Sequence, residues 1–236
     1  IKRNKMLKLK EFIQSNKDWE SKLKESPYFL SIAREKGYVL FKYNQIFSDF
    51  SEPIVRESRG IILNEEENYE VVCKPFNKFF NYGESLASEI DWDSAKVLEK
   101  VDGSIIKLWF AERLNKWIVS TNGAVFAENA NVMFPSEEIK TFYDMFIKAY
   151  SSKELIDEPL KKSTHIFELV GPENRVVIPY SEIDLYYLTS INNKNFAEFK
   201  DDCFKNFETP KEYYFSSLKE TIEFTKSESF NNFRNE

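Results

Sequence analysis

Residues 99–104 read Glu-Lys-Val-Asp-Gly-Ser and lie between two apolar, strand-like stretches, so that a lysine stands two residues before an Asp-Gly pair. A protonated lysine is a poor nucleophile, but desolvation beside apolar strands or a cationic neighbour lowers the pKa of its amine. Gly103 permits a tight turn and the close approach of a ligand, and Asp102 and Ser104 can hold that turn through hydrogen bonds to backbone N–H groups. The pattern therefore suits a nucleophilic Lys100. It also suits a hairpin with an Asp-Gly turn and a solvated lysine.

Two upstream stretches carry cations suited to phosphate. Arg59 stands just before the apolar residues 61–63, which would put a guanidinium at the mouth of a sheet. Guanidinium groups make forked contacts with phosphate oxygens. Lys78 lies inside an aromatic run, residues 76–82, that combines charge for phosphate with rings for stacking. The alternatives are a surface ion pair of Arg59 with Glu57, and an aromatic core edge along which the stem of Lys78 lies.

Glu168 is a glutamate with apolar neighbours on both sides, within the stretch 165–177. Burying a carboxylate in a strand costs free energy unless it is paired. A carboxylate there is suited to hold a ribose hydroxyl or a magnesium ion. The alternative is an outward-facing strand residue, because Phe167 and Leu169 would share the opposite, buried face.

These stretches resemble motifs of the covalent nucleotidyltransferases, which are the ATP-dependent DNA and RNA ligases and the mRNA capping enzymes. Residues 100–104, Lys-Val-Asp-Gly-Ser, resemble motif I, whose lysine attacks the α-phosphorus of a nucleotide and forms a lysyl–NMP phosphoramidate. Residues 75–84, Pro-Phe-Asn-Lys-Phe-Phe-Asn-Tyr-Gly-Glu, resemble motif Ia of the T4 RNA ligase 1-like family. Residues 58–61 and 167–177 resemble, respectively, the Arg-Gly-Ile stretch and motif III of that family.

The resemblance implies a role for each matching residue. Lys100 is the implied catalytic nucleophile, Arg59 and Lys78 are implied phosphate contacts, and Glu168 is implied to hold the ribose or a metal ion. The nucleotide-binding set that the resemblance implies is Arg59, Lys78, Phe80, Glu99, Lys100, Asp102, Gly103, Glu168 and Glu236.

The resemblance also implies a fold and an activity. The fold is the α+β nucleotidyltransferase fold of ATP-dependent ligase adenylation domains, with mostly antiparallel sheets and flanking helices. The activity is ATP-dependent RNA ligation with Mg²⁺ or Mn²⁺: AMP passes from the lysine to an RNA 5′-phosphate, and a 3′-OH then displaces it. The partner would be RNA, with tRNA repair as the family-level expectation. Two alternatives stay open, namely another nucleotidyltransferase of the DNA ligase or capping type, and a catalytically incomplete nucleotide- or RNA-binding domain.

The sequence departs from the family pattern in two places. Asn122 stands where the family commonly has a lysine, so one phosphate or RNA contact of that pattern has no basic residue here. Motifs IV and V are not present in full, and Glu236 would be the first residue of motif IV. We therefore expect residues 1–37 to be an N-terminal helical segment and residues 38–236 an adenylyltransferase domain that ends at or near motif IV.

Composition limits the functional class. The net charge of −6 argues against a chain-wide nucleic-acid footprint, while 33 lysines and arginines leave room for a local basic patch. Two cysteines form no disulfide framework, and one histidine rules out a metal cluster built on histidines. Neither a transmembrane run nor a signal peptide is visible, so we expect a cytoplasmic protein, in the host cytoplasm if of phage or viral origin. We expect no membrane partner and no obligate protein partner.

Hydrophobic periodicity predicts the following elements. Helices are expected over residues 5–26, 28–34, 137–150 (with Ser136 as its N-cap) and 211–225; strands over 38–43, 105–110, 117–121 and 186–191; and a hairpin over 60–75.

Overall fold

The computed structural model describes residues 6–227. Five helices are present in that range: α1 (Lys8–Ser15), α2 (Trp19–Lys24), α3 (Pro53–Glu57), α4 (Phe142–Ser151) and α5 (Leu218–Thr225). Its strands are β1 (Ser31–Glu35), β2 (Tyr38–Lys42), β3 (Arg59–Asn64), β4 (Glu70–Cys73), β5 (Val97–Leu98), β6 (Ser104–Ala111), β7 (Lys116–Thr121), β8 (Ser163–Val170), β9 (Asp184–Asn192), β10 (Glu198–Phe199) and β11 (Glu212–Tyr213). No helix in residues 6–227 is long and apolar enough to cross a membrane.

Two antiparallel sheets pack face to face and carry helices on their outer sides. The first sheet has the order β1-β2-β3-β4, and the second has the order β10-β9-β8-β6-β7. Helices α1 to α3 cover the outer side of the first sheet, and α4 covers the outer side of the second. The buried residues shared between the sheets are Tyr38, Leu40, Ile62, Cys73, Trp109, Ala111, Ile118, Val125 and Phe126. This architecture confirms the α+β expectation.

Strand alternation on β8 turns Glu168 toward the first sheet. Phe167 and Leu169 belong to the core beneath α4, as the sequence predicted. Because successive side chains of a strand point to opposite faces, Glu168 lies on the other face, opposite Ile105 of β6. That face is turned to the first sheet rather than to open solvent, and Glu168 is half-buried there.

The predicted helix over residues 5–26 is two helices, because a polar turn interrupts it. The side-chain amide of Asn16 donates to the carbonyl of Phe12 at 2.9 Å, and the backbone of Asn16 is extended. A side-chain hydrogen bond of this kind satisfies the last turn of α1 and competes with continuation of the helix.

The predicted helix over residues 28–34 is wrong, because residues 31–35 form strand β1 and pair with β2. The connecting turn is Lys36-Gly37, and both residues have positive φ, +50° and +78°. A two-residue turn with this geometry matches the twist of a hairpin. Lysine before glycine is a weaker hairpin signal than asparagine or aspartate, which explains why the sequence pattern concealed the turn.

Two other predicted helices begin later than the sequence indicated. Residues 136–139 form a turn and residues 140–142 pair back to residues 130–132, so α4 begins at Phe142 with Thr141 as its N-cap. Residues 212–213 form β11 and pair with β5, so α5 begins only at Leu218. The predicted strands β2, β6, β7 and β9, and the β3–β4 hairpin, are confirmed within a few residues of their bounds.

We predict that Thr141→Ala lowers the free energy of unfolding by about 1 kcal/mol, because Thr141 and Asp144 form a reciprocal capping box at α4. Chemical denaturation measures the change. Ser136→Ala is the matched control, since Ser136 only accepts from the backbone N–H of Ile139 in a turn. A larger loss at Ser136 than at Thr141 would contradict the observed helix start.

Candidate active site

The segment 99–103 links β5 to β6 and is not a hairpin turn. Strand β5 pairs with β11, whereas β6 pairs with β7 and β8. Glu99 is tied to the small sheet, because its backbone N–H donates to the carbonyl of Lys211 at 2.8 Å. Lys100 follows with an exposed side chain. The hairpin alternative for the Asp-Gly pair is therefore wrong.

Gly103 connects this segment to Glu168. Its backbone N–H donates to Glu168 Oε1 at 3.1 Å. A Cβ atom at position 103 would lie 2.4 Å from the carbonyl oxygen of Leu169, closer than real Cβ contacts allow. Only glycine lets the segment lie this close to β8.

Asp102 holds a distant segment rather than its own turn. Its Oδ2 accepts from the backbone N–H groups of Val177 and Ile178, each at 2.7 Å. Its own N–H donates to the hydroxyl of Tyr180 at 3.4 Å. Ser104 likewise accepts at Oγ from the side-chain amide of Asn174, at 2.9 Å. The loop after β8 thus braces the residues that follow Lys100, and the sequence signalled neither Tyr180 nor Asn174 as a support.

Glu168 stands where three other charges meet. Burial raises the pKa of its carboxyl to about 7, and the Asp102 charge adds to that rise. The Gly103 N–H and the positive charges of Lys100 and Arg59 act in the opposite direction. The structure therefore brings four residues that the sequence singled out into one electrostatic neighbourhood: Arg59, Lys100, Asp102 and Glu168.

A second lysine, Lys107, is a rival candidate for the nucleophile because its pKa is lowered. Lys107 is fully buried on β6, and burial is the main reason that its pKa falls to about 8. Its amino group donates to the carbonyl oxygen of Gly60 and is enclosed between the sheets. A nucleophile must reach its substrate, so the exposed Lys100 is the better candidate. The sequence missed Lys107, whose one signal is a charged residue inside an apolar strand.

Arg59 and Lys78 are both placed by aromatic rings. The Arg59 guanidinium lies 4.3 Å from the centre of the Phe79 ring, and the Lys78 amino group lies 5.2 Å from that of Phe80 and 5.5 Å from that of Phe50. Cations are attracted to ring faces at these distances. Lys78 and Phe80 lie together with Phe50 in an aromatic group, and no described contact joins Lys78 to Glu168 or Lys100.

The donor set suits a substrate-bridged divalent ion better than a protein-only metal site. In residues 6–227 no group of three potential metal-ligating side chains occurs. Mg²⁺ is commonly bound through one or two carboxylates together with substrate phosphates. A single carboxylate at Glu168 beside two cations fits that arrangement. Glu236 lies outside the described residues.

An α+β domain with paired antiparallel sheets and a lysine–carboxylate site is typical of the adenylating domain of nucleotidyltransferase-type ligases. A family model described as RNA ligase, of the T4 RNA ligase 1 type, matches residues 57–236. The chain belongs to the T4 RNA ligase 1-like family.

Individual relatives agree with the family. A protein of Autographa californica nuclear polyhedrosis virus, provisionally named a bifunctional polynucleotide kinase/RNA ligase, is 34% identical over 209 residues, 80% of this chain and 29% of that protein. An RNA ligase of Rhodothermus phage RM378 is 29% identical over 61% of this chain and 38% of that protein. RNA ligase 1 of bacteriophage TS2126 is 27% identical over 59% of this chain and 35% of that protein. The matched regions thus span well under half of these relatives' lengths.

We predict that Gly103→Ala costs about 1–3 kcal/mol of folding free energy, because the added methyl meets the Leu169 carbonyl. Gly123→Ala is the matched control. There the nearest described atom to an added Cβ, Lys42 Nζ, lies at 3.7 Å, so we expect a change within about 0.5 kcal/mol. Urea denaturation of both variants measures the difference, and equal losses would contradict the close approach at position 103.

We predict that Glu168→Gln changes the pH dependence of stability. The pKa of Glu168 is about 7 in the fold against an ordinary value of 4.5, so the folded chain binds more protons between those values. The stability contributed by the protonated carboxyl is present at low pH and is lost as the pH rises from about 4.5 to about 7. The glutamine variant lacks this loss. Its free energy of unfolding relative to the parent should rise by about 2 kcal/mol across that range, after allowance for partial exposure.

Urea titrations at both ends of the pH range, on parent and variant, provide the measurement. Other groups that titrate in both proteins cancel in the difference. A difference that is the same at both pH values would show that Glu168 is ordinarily solvated.

Proposed function

We propose that this chain carries the adenylating chemistry of an ATP-dependent RNA ligase, with Lys100 as the nucleophile. The observation that carries the proposal is the charge neighbourhood of Glu168. There the charges of an exposed lysine and of an arginine, from two separate chain segments, act on a half-buried carboxylate from a third. Family membership supports RNA, rather than DNA or a cap, as the polymer.

In the first step Lys100 Nζ, as the free amine, attacks the α-phosphorus of ATP. An N–P bond forms, the bond from the α-phosphorus to the bridging oxygen breaks, pyrophosphate leaves with that electron pair, and the nitrogen loses one proton to solvent. Arg59 and Lys78 would neutralise phosphate charge as guanidinium and ammonium donors. Glu168 would accept a hydrogen bond from a ribose hydroxyl, and the Gly103 N–H would hold its carboxylate in position.

Glu168 would also be the protein ligand for Mg²⁺ or Mn²⁺ bound together with the substrate phosphates. Such an ion offsets negative charge on a phosphoryl group under attack. Glu99, Asp102 and Gly103 would line the nucleotide site through their backbone. Glu99 is held by a hydrogen bond to Lys211, next to β11, and Asp102 is held by the loop after β8.

In the following steps AMP would pass to the 5′-phosphate of an RNA end, and the 3′-OH of a second end would displace it. We propose repair of broken RNA, including tRNA, in the cytoplasm as the setting. The rival proposal is a domain that binds nucleotide or RNA without reacting, and Asn122 at a usually basic position favours it.

Incubation with α-³²P-ATP and Mg²⁺, followed by a denaturing gel, tests the first step. We predict acid-labile label on the protein in its full native length, reduced more than about 100-fold in Lys100→Ala and Lys100→Arg, because neither alanine nor a permanently protonated guanidinium can attack phosphorus. Lys96→Ala is the matched control, since Lys96 is an exposed lysine just before β5, four residues from Lys100 in the sequence, and should label normally.

Label retained in Lys100→Arg would contradict the assignment of the nucleophile. Absence of label from ATP, with label from GTP, would indicate a capping-type enzyme. Absence of label from both nucleotides would favour the binding-only proposal.

A further inference from the structure

Lys42 and Arg59 stand directly opposite each other on neighbouring strands. They are register partners in the β2–β3 pair, and residues opposite each other in an antiparallel pair present their side chains on the same face. Like charges in such a pair repel and are destabilising unless an anion lies between them. Within residues 6–227 neither side chain forms a salt bridge with a carboxylate. Arg59 is partly compensated by the Glu168 charge and by the Phe79 ring, whereas the described residues give Lys42 no anionic partner, so this position suits an anion from outside the chain.

The two cations line one cavity of about 440 Å³. The remaining lining residues are neutral and polar, with hydroxyl and amide groups: Ser31, Tyr43, Asn44, Gln45 and Asn122. The described lining contains no aspartate or glutamate. A wall of cations and neutral hydrogen-bonding groups suits a phosphate-bearing anion, which needs charge and several donors.

Two of the lining residues, Arg59 and Asn122, belong to segments that pack closely against each other. A Cβ on Gly60 would lie 2.7 Å from the Cα of Asn122, so the start of β3 packs tightly against the turn after β7. Lys107 lies beneath and donates to the Gly60 carbonyl. The positive charge of Lys42 contributes to lowering the pKa of Lys107, which places Lys42 close to the same point.

Asn122 contributes a neutral side-chain amide to the lining of the same cavity. Its side-chain Oδ1 is buried and has no hydrogen-bond partner among the described residues. Buried polar atoms in folded proteins are almost always paired, and the oxygen and nitrogen of an amide can exchange positions by rotation. Because Asn122 lines the cavity, its side-chain NH₂ group is of a type that can donate to a phosphate oxygen there.

We propose that Lys42, acting with Arg59 and Asn122, is a binding residue for a phosphate group in this cavity. The ammonium of Lys42 lies beside Gly123, with 3.7 Å to the position of an added Cβ there. The turn after β7 carries the neutral Asn122, and Lys42 of β2 supplies positive charge beside that turn.

The phosphate has two possible sources that share this chemistry, namely the pyrophosphate portion of ATP and the 5′-phosphate of an RNA end. The inference deepens the proposed function, on which the identity of these sources rests. Binding of either phosphate can nevertheless be measured without any covalent step at Lys100.

The experiment compares binding by the parent chain, Lys42→Gln, Lys42→Arg and Lys194→Gln, each with its fold verified by circular dichroism. One arm titrates inorganic pyrophosphate by calorimetry. The other measures a 5′-phosphorylated RNA oligonucleotide against the same oligonucleotide with a 5′-hydroxyl. Lys194 is the matched control, because it is an exposed lysine in the β9–β10 turn at the opposite edge of the second sheet from β7.

We expect Lys42→Gln to lower the affinity for one of the two phosphates about tenfold, because one charge-assisted hydrogen bond is lost. Lys42→Arg should retain most of the affinity. A loss confined to pyrophosphate assigns the cavity to ATP, and a loss confined to the 5′-phosphate preference assigns it to RNA. Unchanged affinity for both in folded Lys42→Gln, an equal loss in Lys194→Gln, or no binding of either by the parent chain would overturn the inference. ATP labelling of Lys100 is read separately, so failure of the proposed function is distinguishable from failure of this site.

Discussion

The hydrogen bond from the Gly103 N–H to the Glu168 carboxylate is the contact on which the arrangement of the site depends. It joins the segment that carries Lys100 to the strand that carries the carboxylate. It also offsets part of the cost of burying that carboxylate, which otherwise raises its pKa. The bond requires glycine at position 103 and the β6–β8 register that sets Ile105 opposite Glu168. A local backbone requirement and a long-range strand pairing therefore have to be met together.

The site is divided between two sheets, so it forms only when the sheets pack. Lys100 and Glu168 flank or belong to the second sheet, whereas Arg59 begins β3 of the first. The shared apolar layer holds the sheets together, and Tyr38 packs edge-on against Trp109 within it, with ring centres 5.0 Å apart. Lys107 adds a polar link from β6 to the carbonyl of Gly60. Packing in the layer thus fixes the distance between Arg59, on the first sheet, and the Lys100 and Glu168 side of the site, on the second.

Much of this could be predicted from the sequence, because its strongest signals are local. Alternation along β6, β7 and β9 identified strands, and short motifs identified Lys100 and Glu168 as the residues to examine. The start of α4 could not be found locally, since Ser136 and Thr141 are both acceptable caps and the pairing of residues 140–142 with residues 130–132 decides between them. The supports of the site were missed for the same reason. Tyr180 reaches Asp102 across 78 positions and Lys107 reaches Gly60 across 47, and no pattern in a short window encodes such contacts.

The central claim is that an exposed lysine, and not the buried lysine with the lowered pKa, carries the nucleotide. Mass spectrometric peptide mapping after incubation with ATP and Mg²⁺, under conditions that preserve phosphoramidates, tests it most directly. The account predicts one AMP adduct, on the peptide that contains Lys100. An adduct on Lys107 would contradict the account, because it would mean that ATP reaches the buried amine, and an adduct on Lys42 would contradict it because a different exposed lysine would then be the nucleophile.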